Sequence, residues 1–485
     1  MAEEGQTCPF SARPYRRSAM APTSTQPREG PLVEPLNDGR TTADAAVHLA
    51  RARARPQRRA VRWAILAALL PLLAGAAPAR NVVADAPTPE QFEADFDTLW
   101  LSLDRNYAYF DVKQTDWAAV RSTYRPGVRQ VKTRDEFVGL LERVLEELYD
   151  PHTHLDTNTA SSPRLVPSGA DIWAEWRGDA ALVLEGRPGS PAARAGLRPG
   201  MEVVSYNGRA ISDAVDARLG RSLRRHDPAA RDWALRAILA GRRDEARALG
   251  IRSGQAERSV VLDGRGNDPR PRGGAEGRPL DHRRLPVGIG YIRLNDSLGR
   301  AETVAAFDAA LAELRGTSGL VLDLRDTPSG GNSTVARGLM GRLVDRDTAY
   351  QKHLLPGEER ETGVRRSWLE LVSPRGPFTY SAPLVVLVDH WTGSMGEGIA
   401  IGLDGARRAR VVGTRMAGLL GAKAVEMLPH TGIRVSFPVE KLYHVNGTAR
   451  ESYRPTVEVD LLRAGEGMDD PILDAGLREL GGKPR

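Results

Sequence analysis

The stretch Leu384-Val385-Val386-Leu387-Val388-Asp389-His390-Trp391-Thr392-Gly393-Ser394-Met395-Gly396-Glu397-Gly398 decides how the chain is read. Its first five residues form an apolar, β-branched-rich run, the pattern of a strand buried on both faces in a parallel sheet. A short turn through Gly393 follows, and an amphipathic helix is predicted over Glu397 to Leu403. Ser394 therefore stands where a strand meets a helix. Orphan N–H groups and the positive end of the helix dipole favour negative charge at that point. Two readings of Ser394 follow: an ordinary helix N-cap, or a nucleophile.

The surrounding sequence repeats the strand–helix alternation. Gly288 to Leu294 reads as a strand, Glu302 to Leu314 as a helix, Gly319 to Arg325 as a buried strand, and Thr334 to Val344 as a helix. Such alternation predicts a layered α/β core. Between the last two lies Asp326-Thr327-Pro328-Ser329-Gly330-Gly331-Asn332. The glycine pair lacks the GxxxxGK[ST] order of a phosphate loop, so nucleotide binding is not expected. Bare backbone N–H groups in such a turn can instead hold an oxyanion.

Upstream, Phe92, Phe96, Leu99, Leu103 and then Phe137, Leu141, Val144 and Leu148 recur at helical spacing. A helical unit is predicted over 88–160, starting at Thr88-Pro89, with Tyr107, Tyr109, Phe110 and Trp117 as its aromatic core. It ends in Asp150-Pro151-His152-Thr153-His154. These histidines lack a partner at metal-ligand spacing, so no metal is expected. A general base or a turn histidine remains. Residues 165–270 carry Ser190-Pro191-Ala192-Ala193-Arg194-Ala195-Gly196-Leu197-Arg198-Pro199-Gly200, then a strand ending in Asn207-Gly208. This string resembles the PDZ domains of exported proteases, with Met201 where Asp is usual. The resemblance implies capture of an extended peptide on a sheet edge, with Gly196 and Leu197 at the peptide. The Gly-, Arg- and Pro-rich residues 264–284 read as a flexible boundary before a catalytic unit at 285–470.

The chain has 485 residues and a formal charge of +6. Residues 1–79 hold 11 Lys or Arg against 6 Asp or Glu, leaving 57 against 56 in the remainder. The body is thus near neutral, and nucleic acid is not an expected partner. A disordered basic leader (1–62) precedes an apolar block (63–79) ending Ala77-Pro78-Ala79, the make-up of a secretory signal. It is short for a spanning helix, which needs about 20 residues. The long preceding segment leaves a later start, such as Met20, or an uncleaved membrane anchor. An exported, periplasmic or secreted body follows. Cys8, the single cysteine, lies in the leader, so disulfides and thiolate chemistry are excluded from that body.

Three motifs now stand in order: Asp150-Pro151-His152-Thr153, then Asp323-Leu324-Arg325 with Gly330-Gly331, then Gly393-Ser394-Met395-Gly396-Glu397. This order resembles the tail-specific (C-terminal processing) serine protease family, nearest its tricorn-core-like branch, over roughly residues 88–470. The resemblance implies a crotonase/ClpP-like β/α superhelix with an N-terminal helical domain and an inserted PDZ-like domain. It implies a polypeptide substrate, no cofactor, and Ser394 as nucleophile. The processing branch places its Lys base 25 residues after the serine, where this chain has Leu419; Lys423 stands four residues on, as an alternative. The tricorn-like branch implies His152 as base, ahead of His154 and His390, with Glu451 as the late acidic partner. Met395 N–H and Gly330 N–H, or Gly331 in its place, would form the oxyanion hole.

Two other functions compete. An α/β-hydrolase esterase needs G-x-S-x-G and the order Ser, acid, His; Thr392 stands where the first Gly belongs, though His430 and His444 follow the serine. A non-catalytic ligand or peptide binder is the rival from another class, since the same fold family includes a retinoid carrier and fold alone does not set function.

Overall fold

The computed structural model describes residues 87–262, 277–286, 288–464 and 469–481. The leader and the 63–79 block lie outside the described residues, as does most of the 264–284 boundary. All of the described residues fall in one compact unit, 81–485.

Three helices open it: α1 (Pro89–Asn106), α2 (Trp117–Val128) and α3 (Arg134–Glu146). Each is capped by a side chain, from Thr88, Asp116 and Thr133, which satisfies N–H groups the helix itself leaves open. Their apolar stripes bury Phe92, Phe96, Leu99, Phe137, Leu141 and Val144, with Tyr107, Tyr109 and Trp117. The chain then turns into β1 (His154–Leu155).

The middle region is a sheet of β2 (Ile172–Arg177), β3 (Ala180–Gly186), β4 (Glu202–Tyr206), β5 (Arg209–Ala210), β6 (Arg247–Ser253) and β7 (Ala256–Leu262), with α4 (Pro191–Arg194), α5 (Ile211–Asp216) and α6 (Pro228–Ala240) between strands. Strand order is β2-β3-β4-β6-β7, with β5 beside β4. Asp171 and Arg247 form a buried bidentate pair, at 2.6 and 3.1 Å. Leaving one such charge unpaired typically costs about 3–5 kcal/mol. Asp171→Ala should therefore lower the unfolding free energy of the full chain, read from a urea titration, by that order. A double change to well-packed apolar residues at 171 and 247 should recover most of it.

The last region begins earlier than the boundary reading allowed. β8 (Leu280–Arg284) is an antiparallel edge strand on β9 (Gly290–Leu294), and its Asp-His-Arg-Arg run is the charging that protects an edge. Then come α7 (Glu302–Glu313), β10 (Leu320–Asp323), α8 (Ser333–Met340), β11 (Thr348–Leu354), α9 (Pro356–Thr362), β12 (Ser367–Val372), β13 (Leu384–Val388), α10 (Met395–Gly405), β14 (Arg410–Gly413), β15 (Ala422–Met427), β16 (Arg434–Tyr443), β17 (Val457–Glu458) and α11 (Pro471–Glu479). One sheet runs β17-β14-β13-β10-β9-β8, parallel except at β8. Alternate residues of β13 enter opposite cores. Leu384, Val386 and Val388 join Phe307, Leu339 and Ile399, whereas Val385 and Leu387 join Ile472 and Leu477 of α11. That is the two-sided burial the apolar run demanded.

A second sheet, β1-β16-β11-β12 with β15 on β16, faces the helices. Val435 and Phe437 of β16 enter the helical core, and β1 pairs with β16, His154 opposite Ser436. This pairing carries the early histidines back to the late strands. Among the described residues no helix is long and apolar enough to cross a membrane.

Candidate active site

β10 and β13 lie side by side in parallel register, Asp323 opposite Leu387, so the turns after them meet at the carboxyl edge of the sheet. Ligands gather at that edge in open α/β sheets. Asp389 joins the two turns: its Oδ1 accepts the Asp326 N–H at 3.1 Å and the Trp391 N–H at 2.9 Å. Burial pushes its carboxyl up to about 7.

Ser394 is half-buried, with φ 51° and ψ −109°. A non-glycine residue held there costs about 1–3 kcal/mol and points to function. The strain is held by Glu397, whose fully buried carboxylate accepts the Ser394 N–H at 2.8 Å. Met395, the first residue of α10, has an N–H with no protein acceptor among the described residues.

Gly330 packs against this elbow at φ 62°. A Cβ there would collide with the Ser394 side chain, lying 3.0 Å from Oγ and 3.2 Å from Met395 N. Its N–H, however, donates to Thr327 O at 3.2 Å. The Gly330 N–H expected in the oxyanion hole is thus already engaged within its own turn. Gly331 N–H has no protein acceptor among the described residues and lies on the Ser394 cavity.

The Asp150 turn presents His152. Asp150 accepts the His152 N–H at 2.9 Å, the Thr153 hydroxyl at 2.7 Å and the Tyr107 hydroxyl at 3.0 Å, which explains the Asp-x-His-Thr spacing. The His152 ring is buried, and Nδ1 lies 2.5 Å from Leu420 O. A carbonyl only accepts, so Nδ1 carries the proton and Nε2 keeps a lone pair. Burial, then the charges of Lys423 and Arg450, hold its pKa well below the usual imidazole value. The ring stays neutral near pH 7.

Ser394, Met395, Gly331 and His152 border one cavity of about 470 Å³. Lys423 reaches the same cavity; the residue as a whole is exposed, but partial loss of water around its amine lowers its pKa, and its ammonium lies 2.9 Å from His154 Nε2. His154 faces a different pocket. His390 is drawn away altogether: Nδ1 lies 2.7 Å from Glu185 Oε2 of β3, and the ring stacks on Trp173 at 5.1 Å. Burial drops it to about 4.

Glu451 and the Gly196–Leu197 pair also stand elsewhere than expected. Glu451 does not meet His152; it lines another cavity with Lys113, Arg236 and His390, burial raises its carboxyl, and Leu420 O takes the orienting position. Gly196 and Leu197 do not line a peptide groove either. Their N–H groups close the turn after α4, donating to Ala193 O and Ala192 O, and Leu197 is core. The outer edge of β2 is covered by α6: Asp232 accepts the Trp176 N–H at 3.0 Å, and Arg231 stacks on the Trp176 ring at 3.7 Å. The sequence motifs give Glu397, Leu420 and Arg450 no role of their own. Ser-x-x-Glu is a capping-box signature that would have picked out Glu397.

Three family descriptions match the chain: peptidase family S41 over 288–460, the tricorn protease C1 domain over 88–146, and a PDZ domain over 182–225. The C-terminal processing peptidase of Tetradesmus obliquus chloroplasts is 28% identical over 378 residues, 73% of this chain and 74% of that one. Tricorn protease homolog 1 of Streptomyces coelicolor is 27% identical over 67% of this chain and 28% of its own length. Among solved structures, mature CPAF complexed with lactacystin superposes with a TM-score of 0.52 at 16% identity, covering 76% of this chain and 94% of that one; that likeness concerns the fold. The chain is a serine peptidase. Within that class it is similar to the tail-specific, C-terminal processing proteases, with peptidase family S41 matched over 288–460 and a PDZ domain over 182–225.

Proposed function

We propose that Ser394 is the nucleophile and His152 its base, as in the tricorn-like branch, in an enzyme that cleaves exported polypeptides. The observation that carries this is the Nδ1–Leu420 O bond, which leaves Nε2 as the free lone pair of a neutral ring whose residue borders the same cavity as Ser394. As Oγ attacks the peptide carbonyl, its proton passes to Nε2 and the new C–O bond forms. Met395 and Gly331 N–H groups receive the oxyanion. The C–N bond then breaks as Nε2–H protonates the leaving amine, and a water activated by the same ring releases the acyl group. Leu419, buried at the position of the family's Lys, has no proton to exchange. Export through the 63–79 segment belongs to the same proposal.

A fluorophosphonate probe tests it. Covalent labelling at Ser394 that disappears in His152→Ala is expected; a folded protein that never labels would point to a binding protein instead. Lys423→Ala should retain activity within about tenfold, since an Nε2 base needs no amine. Peptide-hydrolysis rates as low as those of Ser394→Ala would make Lys423 the base.

A further inference from the structure

We propose that Glu397 and Arg450 are positioning residues: a buried pair that brackets the 418–421 loop and thereby aligns the nucleophile and the base together. The inference rests on the Ser394–His152 reading. The pair is buried on both sides, 4.0 Å apart. Glu397 Oε1 accepts the Gly418 N–H at 2.9 Å; Oε2 accepts the Leu419 N–H at 3.2 Å as well as the Ser394 N–H. One Arg450 nitrogen donates to Leu419 O at 2.8 Å and Gly421 O at 2.9 Å. The carbonyls on either side of Leu420 are therefore fixed, and the Leu420 carbonyl between them points to His152 Nδ1. The same carboxylate that fixes the loop holds the Ser394 elbow. Removing the bracket frees the loop to turn its carbonyl, and the imidazole loses what selects its tautomer. A buried ion pair is weak evidence for stability, so the geometry it imposes is the stronger account of its presence.

Glu397→Gln and Arg450→Lys in the full chain test this. Gln cannot accept at all three N–H groups, and Lys, one bond shorter, does not carry its nitrogen to the point between the two carbonyls that the Arg450 nitrogen occupies. Each should lower kcat for a peptide substrate by about 10–100-fold, the usual result of small misplacement, with KM changed less than about threefold. Ring ¹⁵N signals of His152 should pass from one Nδ1–H tautomer to a mixture, which a merely structural role would not produce. Folded variants with kcat within twofold of the parent, or with an unchanged tautomer, overturn the proposal. Should both fail to fold, the unsubstituted enzyme decides. Burial pushes Glu397 up to about 7; Arg450 faces it from the 450–452 turn, and His152 and Lys423 lie beyond the loop. Protonation removes an acceptor, so kcat should fall on the acid side of about pH 7 while KM holds; a flat kcat down to pH 5 overturns the idea. If Ser394→Ala itself still hydrolyses peptide, the catalytic reading fails. If only the Glu397 and Arg450 variants stay active, the reading stands and the bracket falls.

Discussion

Ser394→Ala and His152→Ala should each lower kcat for peptide hydrolysis by about 10⁴–10⁶-fold, the range seen when either member of a serine–histidine pair is removed. The two losses should not add: the double variant should be about as inactive as either single one, because the hydroxyl and imidazole act as one unit. Folding should survive in Ser394→Ala. The elbow is held by the Ser394 backbone N–H on Glu397, which alanine retains. His152→Ala removes a buried ring and the bond to Leu420 O, so some stability is lost there. A urea titration separates that loss from the kinetic one, and a Ser394→Ala enzyme with parental kcat would end the nucleophile assignment.

How much of this was legible depended on whether side chains or backbone carried the information. Leu384 to Val388 has one reading, a strand buried on both faces, and the junction that holds Ser394 follows from it. His152 was legible because Asp and Thr beside it describe a turn, which the Asp150 carboxylate indeed closes. The second sheet was not legible. β15 alternates Ala422, Lys423, Ala424, Val425, Glu426 and Met427 with its odd-numbered residues exposed, a short and charged pattern that says little until β16 lies beside it. Likewise β8 reads as a charged linker because charge is what an edge strand displays.

The partner of His152 was hidden for a different reason. A carbonyl oxygen belongs to every residue, so no letter at position 420 announces it. A carboxylate expected near the end of the chain points to Glu451, which stands at nearly the right distance along the sequence. Chain distance does not tell which side of the 415–420 loop a side chain takes, and Glu451 takes the side of Lys113 and His390. Lys423 shows the converse. Its displacement from the family's Lys position suggested remoteness, yet β15 brings it to the Ser394 cavity beside His154.

The glycine pair gives the second large effect. Gly331→Ala should lower kcat/KM by about 10²–10³-fold, the usual cost of losing one oxyanion donor. The added methyl would run into the backbone carbonyl of Leu298, which no rotamer relieves, so the turn must shift and carry the Gly331 N–H with it. The ground-state carbonyl makes little demand on that N–H, whereas the developing oxyanion does; the loss should therefore fall on kcat, with KM nearly constant. Asn332 N donates to the same Leu298 carbonyl at 3.2 Å, so the variant also weakens the start of α8, and its denaturation midpoint should drop. Gly330→Ala separates the two glycines. Its methyl meets Ser394 directly at a positive φ, so it should slow fluorophosphonate labelling by displacing the hydroxyl itself. A peptide aldehyde, which is held by the oxyanion donors after addition, should lose affinity in Gly331→Ala by about the same factor as kcat/KM. If aldehyde affinity is unchanged while hydrolysis falls, Gly331 is not the donor and the hole is formed elsewhere.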